Sequence, residues 1–408
     1  MADYEFIIVG AGLSGLSCAI ELARQNKSFK IFEAGPTAGG RVQTDLIDGF
    51  RLDHGFQVFL TAYPESQKLL DYPKLNFRKF KSGAVIRFDG EFCRISDVLR
   101  HPGDLPGNLF SKAASFSDKL KIASLRSEVE KWSIDQIAES ENVTTKQRLQ
   151  QFGFSDKIVN SFFRPFFGGV FLETELTTSR RMFDFVFKMF AEGDVVVPAM
   201  GMGQISQQMT ERVPADSLQF NSKVTRIAAN EIEIESGQTF SADNIIVAAD
   251  QNSARNLTGE QEVQWCSATC LYFAADQSPI NEPIIVLNGD EDGPINNLCV
   301  PSDVSPAYAP NGKALISISV VGDKSDSELE SKVLTQAKTW YGDQVESWQH
   351  IKTYEIPQAL PSQSCANLET VDKQQTTDGI HFCGDYLNFA SINGAMASGK
   401  TLAEKLCV

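Results

Sequence analysis

The 408-residue chain is 42% hydrophobic and 22% charged, with 52 acidic against 37 basic residues and a formal charge of −15. That length predicts two intimately joined domains. The apolar content excludes a disordered chain, and the negative charge without a Lys/Arg block excludes nucleic acid as a partner.

In chain order, the run 4–9 (YEFIIV) leads straight into glycines and predicts a buried parallel strand. Leu13, Leu16, Ala19, Ile20, Leu22 and Ala23 follow at helical spacing, then Phe29, Ile31 and Phe32 form a second strand ending in Glu33. Residues 76–195 carry few strand signals and several amphipathic helical stretches, one rich in Phe between Phe152 and Phe190. A short strand over 194–198, a helix over 201–212 and alternating strands over 218–249 come next, with further strands from 264 to 356. A helix is expected over 327–340. The apolar run 379–383 (GIHFC) predicts another buried strand before Gly384-Asp385 and a last helix over 393–406. The dinucleotide-type signals sit at both ends and in the middle. The predicted fold is therefore α/β: a Rossmann-type dinucleotide-binding domain from 1–75, 195–260 and 370–408, and a discontinuous substrate domain of helices over a mixed β-sheet from 76–194 and 261–369.

The acidic N-terminus lacks the basic region of a signal peptide, and no window approaches 18 uninterrupted apolar residues. Peripheral contact with a membrane stays open. Eight cysteines with no CxxC pair and no zinc-spaced partners predict no metal and fit a reducing, cytoplasmic compartment. No motif fixes an oligomeric state.

Gly10-Ala11-Gly12-Leu13-Ser14-Gly15 stands between the first strand and the first helix. There Gly10 permits the tight turn, Gly12 lets the backbone approach a pyrophosphate, and Gly15 lets helix pack on strand. The helix start, with Leu13 and Ser14, supplies free N–H donors and the positive dipole end. Glu33 lies 18 residues past Gly15, with Ala34 after it, where its carboxylate can accept bonds from ribose hydroxyls. Gly39-Gly40-Arg41 reads as a phosphate or ribityl contact or, alternatively, as a surface turn with a solvated Arg. Near the C-terminus, Gly384-Asp385 could meet ribityl hydroxyls, and Ser391-Ile392-Asn393-Gly394-Ala395 opens a helix aimed at a flavin edge or one that merely packs.

Together, GAGLSGL, Glu33, GGR, DHGFQ at 53–57, the VxxI strand at 224–227, IPQALP at 356–361 and the GD…SINGA end resemble the flavin amine oxidase superfamily. That group holds monoamine oxidases, protoporphyrinogen oxidases and phytoene desaturases. FASINGAMASGK looks most like the plant and cyanobacterial type of carotenoid desaturase and protoporphyrinogen oxidase. The resemblance implies non-covalent FAD held by Gly10, Gly12, Leu13, Ser14, Gly15, Glu33, Ala34, Gly39, Gly40 and Arg41, by the backbone of Val224, and by Gly384, Asp385, Ile392, Asn393 and Ala395. It implies two-electron oxidation of a C–C or C–N bond in a small apolar substrate.

Departures bear on the substrate. The strand 266–274, matching the one that carries a flavin-facing Lys in monoamine oxidases, has no Lys. Ser391 or Ile392 stands where those enzymes place a cage Tyr, and no Cys sits where flavin would be attached covalently. These features argue against simple amine oxidation. Of the histidines, His54 would lie in a loop near the flavin, as an acid or base or as a ring bonded to backbone. His381 reads as structural, and His101 and His350 have no distinguishing feature. The Phe-rich stretch reads as core packing or as a hydrophobic entrance. Two rival functions remain: a redox-neutral flavin isomerase, and a flavin-free binding protein like the Rab GDP dissociation inhibitors, against which the intact Gly12, Glu33 and Asp385 speak.

Overall fold

The strand Tyr4–Val9 (β1) is buried from Phe6 onward and pairs in parallel with Phe29–Phe32 (β2) on one side and Thr239–Val247 on the other. This is what a run of apolar, largely β-branched residues does when both faces of a sheet are covered. The computed structural model describes residues 2–96, 115–228, 230–258, 264–322, 326–366, 376–377 and 380–407. Its first sheet continues in parallel to Leu218–Gln219 at one side and to Ile380–Phe382 at the other. An antiparallel hairpin, Val224–Ala228 and Glu231–Ile234, extends it.

The helix Leu13–Arg24 (α1) is buried at every residue from Leu13 to Leu22. The C-terminal helix Ile392–Leu406 lies against it, so the two chain ends form one layer. Small residues make the approach close: a methyl on Gly399 would fall 2.0 Å from the Ser14 carbonyl oxygen. The Ser17 hydroxyl donates to the Met396 carbonyl at 2.7 Å.

The second sheet has seven strands, in the order 349–361, 265–275, 314–321, 297–299, 285–288, 83–88 and 91–96. Its pairs are antiparallel except where 285–288 runs parallel to 83–88. The last two strands correct the helical expectation for 76–195. Asp89-Gly90 joins them with φ of 53° and 68°, the left-handed pair of a two-residue hairpin turn; the Asp-Gly signal stands in the sequence, between Val85-Ile86 and Phe92.

From Phe116 to Glu192 the described residues are mainly helical. Ser115, Ser133 and Thr144 each close a capping box at the head of a helix. Phe163, Phe167, Phe171, Phe183 and Phe185 are fully buried. Phe162, Phe166, Phe187 and Phe190 are partly buried and packed on the same core. Core packing thus accounts for the innermost rings. Among the described residues no helix is long and apolar enough to cross a membrane.

Candidate active site

Three chain segments, far apart in sequence, meet at the carboxyl end of β1. Gly10 has φ +104°, and a methyl there would lie 2.9 Å from the Ala248 carbonyl oxygen, so only glycine makes this turn without strain. A methyl on Gly15 would stand 2.1 Å from the Gly10 oxygen. Gly12 caps α1 with no side-chain acceptor, and α1 has no acid in its first turn. That turn begins with Leu13 and Ser14, and a methyl on Gly12 beside it would meet nothing among the described residues within 4 Å beyond its chain neighbours. An uncapped helix start beside open space fits an anionic group.

Around this opening stand the other glycines and the acid. Gly39 bridges to Gly12, and a methyl on Gly40 would reach the Gly12 Cα at 3.3 Å. The Glu33 carboxylate accepts from the N–H of Ala11 at 2.7 Å and of Gly35 at 2.8 Å. These bonds fix it at the end of β2 while each oxygen keeps capacity for a further donor. Exposed Ala34 follows, and the Ser222 N–H donates to the Glu33 carbonyl at 2.8 Å, which brings the start of the Val224 strand to the same corner.

The Arg41 side chain is part-exposed, but its guanidinium is held by protein partners. Its guanidinium donates to Asp385 at 2.7 Å and to the Ala359 carbonyl at 3.0 Å, and lies 5.4 Å from the Trp265 ring centroid. Asp385 is buried. The Trp265 indole N–H is also buried and has no hydrogen-bond partner among the described residues. Gly384 donates its N–H to Ser398 Oγ, and Ser391 Oγ accepts from the Gly394 N–H at 3.0 Å, capping the helix that carries Ile392, Asn393 and Ala395. The Asn393 side-chain oxygen accepts from the Glu65 N–H. The glycines and Glu33 thus gather beyond the ends of β1 and β2, and Arg41 links the Gly39-Gly40 turn to Asp385.

His54 follows the hairpin Thr44–Ile47 (β3) and Phe50–Asp53 (β4). One reading expected its ring to bond to backbone; among the described residues it instead meets a carboxylate, with Nε2 3.0 Å from Asp45 Oδ1. His381 sits in the first sheet, half-buried, with its pKa lowered by burial. His350 pairs with Thr353 and Glu330 on the edge strand 349–361, and His101 lies outside the described residues.

Sequence reasoning missed Asp45, Lys352, Tyr354, Trp265 and the buried role of Asp53. The i, i+2 spacing of Lys352 and Tyr354 in one strand was the single trace, since it puts both on one face. Asp53 is buried. Its carboxylate accepts from Thr44 Oγ1 at 2.5 Å, the Met202 N–H at 2.9 Å and the Tyr308 hydroxyl at 2.8 Å, while its carbonyl accepts from Tyr272 at 3.0 Å. It therefore ties β4 to strands and turns of the second sheet.

Burial outweighs those donors and pushes the Asp53 carboxyl up to about 6 from an ordinary 3.8. Because the folded value is the higher, its contribution is complete below the unfolded pKa and is lost as pH rises toward 6, by ~3 kcal/mol at neutrality. Asp53→Asn, with its amide turned to Tyr308, is expected to flatten this slope. Urea unfolding of both proteins at about pH 4.5 and pH 7.5 checks it; an unchanged difference between the two pH values in the variant would contradict the assignment.

The family profile of flavin containing amine oxidoreductases matches residues 13–407. The chain belongs to that family. Relatives of this flavin oxidoreductase include the carotenoid 3,4-desaturase of Haloarcula japonica, 21% identical over 100% of this chain and 98% of its own. The 15-cis-phytoene desaturase of Solanum lycopersicum is 22% identical over 98% of this chain and 77% of its own. Among solved structures, putrescine oxidase with bound putrescine matches with TM-score 0.74 at 17% identity, covering 99% of this chain and 98% of that one. Reduced UDP-galactopyranose mutase matches with TM-score 0.72 at 15% identity, covering 99% and 95%; at such identities these two likenesses are of fold. The protein is a FAD-dependent oxidoreductase.

Proposed function

We propose that FAD binds non-covalently along the seam between α1 and the C-terminal helix, and that the enzyme desaturates a C–C bond in an elongated apolar molecule. The observation that carries the cofactor placement is the open position beside Gly12 at the uncapped start of α1. In this reading Gly10, Gly12, Leu13, Ser14, Gly15, Gly39 and Gly40 surround the pyrophosphate. Glu33 and Ala34 meet the adenosine ribose, and Val224 the adenine. Arg41, Gly384 and Asp385 serve the ribityl and phosphate region, and Ile392, Asn393 and Ala395 meet the ring.

Bound flavin supplies hydride acceptance. The chain's own residues do the rest. Desaturation removes a hydride from one carbon and a proton from its neighbour as the double bond forms, and His54 takes that proton and passes it to water. A C–C substrate is favoured over an amine because the relatives that span the whole chain are carotenoid and phytoene desaturases. The partly buried Phe162, Phe166, Phe187 and Phe190, stacked on a phenyl core, suit such a substrate.

The test uses the visible spectrum. The purified protein is expected to show oxidised flavin that acid releases into the supernatant. Under anaerobic conditions 15-cis-phytoene in neutral lipid vesicles is expected to bleach it, whereas putrescine is not. Bleaching by the amine alone would reverse the substrate assignment, and a colourless protein that takes up no FAD would overturn the cofactor placement.

A further inference from the structure

Four polar side chains, from two strands and the loop after β4, converge beside Gly55. Asp45 Oδ1 lies 3.0 Å from His54 Nε2, and Asp45 Oδ2 accepts from Lys352 Nζ at 2.8 Å and from the Tyr354 hydroxyl at 2.7 Å. The Tyr354 ring packs against the His54 ring at 5.1 Å between centroids, and the Lys352 ammonium lies 4.4 Å from the Tyr354 centroid. His54 and Asp45 are each about a third exposed, with side chains 29% and 35% accessible, so the cluster reaches solvent.

The backbone that carries the imidazole is held on both sides. The Gln57 side-chain amide donates to the carbonyls of His54 at 3.1 Å and Arg41 at 2.8 Å. Gly55 has φ +88°, and a methyl there would fall 2.6 Å from Ile356 Cδ1. Before it, the Asp53 carbonyl accepts from Tyr272. With the backbone fixed, the ring's orientation and tautomer are set by what its nitrogens meet. Nε2 meets Asp45, and Nδ1 has no hydrogen-bond partner among the described residues.

We propose that Asp45 is a positioning residue that holds His54 in the Nε2–H tautomer, leaving Nδ1 as the nitrogen that accepts a proton, and that Lys352 and Tyr354 hold Asp45 in place. The inference rests on the reading of His54 as the proton-accepting group. The charged and titratable groups around the imidazole are Asp45 from β3, Asp53 from β4, and Lys352 and Tyr354 from the edge strand. Burial works to raise the Asp45 carboxyl, but bonds from Lys352, His54 and Tyr354 prevail and hold it well below the usual carboxylate range. It therefore stays an anion that accepts hydrogen bonds and donates none. A carboxylate opposite one ring nitrogen selects the tautomer protonated there.

The test is the ¹⁵N spectrum of histidine-labelled holoenzyme at alkaline pH, with His54 assigned by loss of its signals in His54→Gln. If that variant does not fold, assignment proceeds by elimination with His101→Gln, His350→Gln and His381→Gln. The expected result is one tautomer, protonated at Nε2 and bare at Nδ1, which becomes a mixture in Asp45→Ala. A wild-type ring protonated at Nδ1, alone or as imidazolium, overturns the proposal whether or not the alanine variant folds. So does an unchanged tautomer in a folded Asp45→Ala protein. Turnover of 15-cis-phytoene separates this from the reading it rests on. Wild-type turnover by His54→Gln, together with the expected tautomer, removes the proton-accepting role and leaves the Asp45 placement standing.

Discussion

Gly15→Ala and Gly12→Ala are expected to fail for different reasons, and the contrast locates the phosphates. At Gly15 the added methyl would stand 2.1 Å from the Gly10 carbonyl oxygen and 3.2 Å from Ala248 Cβ. The obstacle is backbone, not the end of a flexible side chain. Relief requires α1 to move off β1, so overpacking at the upper end of its usual ~1–3 kcal/mol cost is expected in folding free energy. At Gly12 the methyl would meet no atom of the described residues within 4 Å beyond its chain neighbours, and the residue's φ of −69° suits any side chain. The apo protein should then unfold at the wild-type temperature. Its methyl would still occupy the opening at the start of α1, where a pyrophosphate would approach. A loss of ~3 kcal/mol in FAD binding, roughly a hundredfold in Kd, is expected. FAD titration and thermal unfolding of the apo proteins decide it. Wild-type affinity in Gly12→Ala would show that the phosphates lie elsewhere.

The second large effect concerns Arg41 and Asp385. Their 2.7 Å bond joins residues 344 apart in sequence, and the two ends are unequally buried: the Arg41 side chain is 38% exposed, that of Asp385 only 6%. Removing the cation leaves a buried carboxylate without its partner, which costs ~3 kcal/mol where burial is deep. Removing the carboxylate charge leaves a guanidinium that can turn to water, at about 1 kcal/mol. Arg41→Met should therefore destabilise more than Asp385→Asn, and the double variant less than the sum of the two. Arg41→Met should also lose FAD more readily, because Arg41 also donates to the Ala359 carbonyl and packs on Trp265. Urea unfolding of the four proteins in the cycle, with flavin retention measured in each, checks both statements. Additive effects would mean that the ion pair does not couple these segments.

Both predictions begin from residues legible in the sequence. Gly10, Gly12, Gly15 and Glu33 were legible because a strand, a tight turn, a helix and a second strand are all local, and each has a residue type that its geometry demands. The same holds for the Ser391 cap and the small residues behind it. The Asp89-Gly90 hairpin is equally local, since both turn residues take the left-handed φ that this pair of residue types favours.

What lay beyond reach was pairing across the chain. Asp45 carries no sign in sequence that Lys352 and Tyr354 will meet it. Nor does Trp265 announce that it will lie against Arg41, or Asp53 that it will be buried among Tyr308, Thr44 and the Met202 N–H. These contacts depend on how the second sheet is ordered and on which face of the strand 349–361 turns toward β3.

The sequence by itself determined the dinucleotide motif, the strand–helix–strand that presents it and the small-residue helix at the C-terminus, because short-range backbone sterics and hydrophobic period specify them. Only the tertiary structure decided which carboxylates are buried, which cations they meet and which nitrogen of His54 is left free. Desolvation and Coulomb attraction act on distances in space, and those distances exist only once the two sheets have packed.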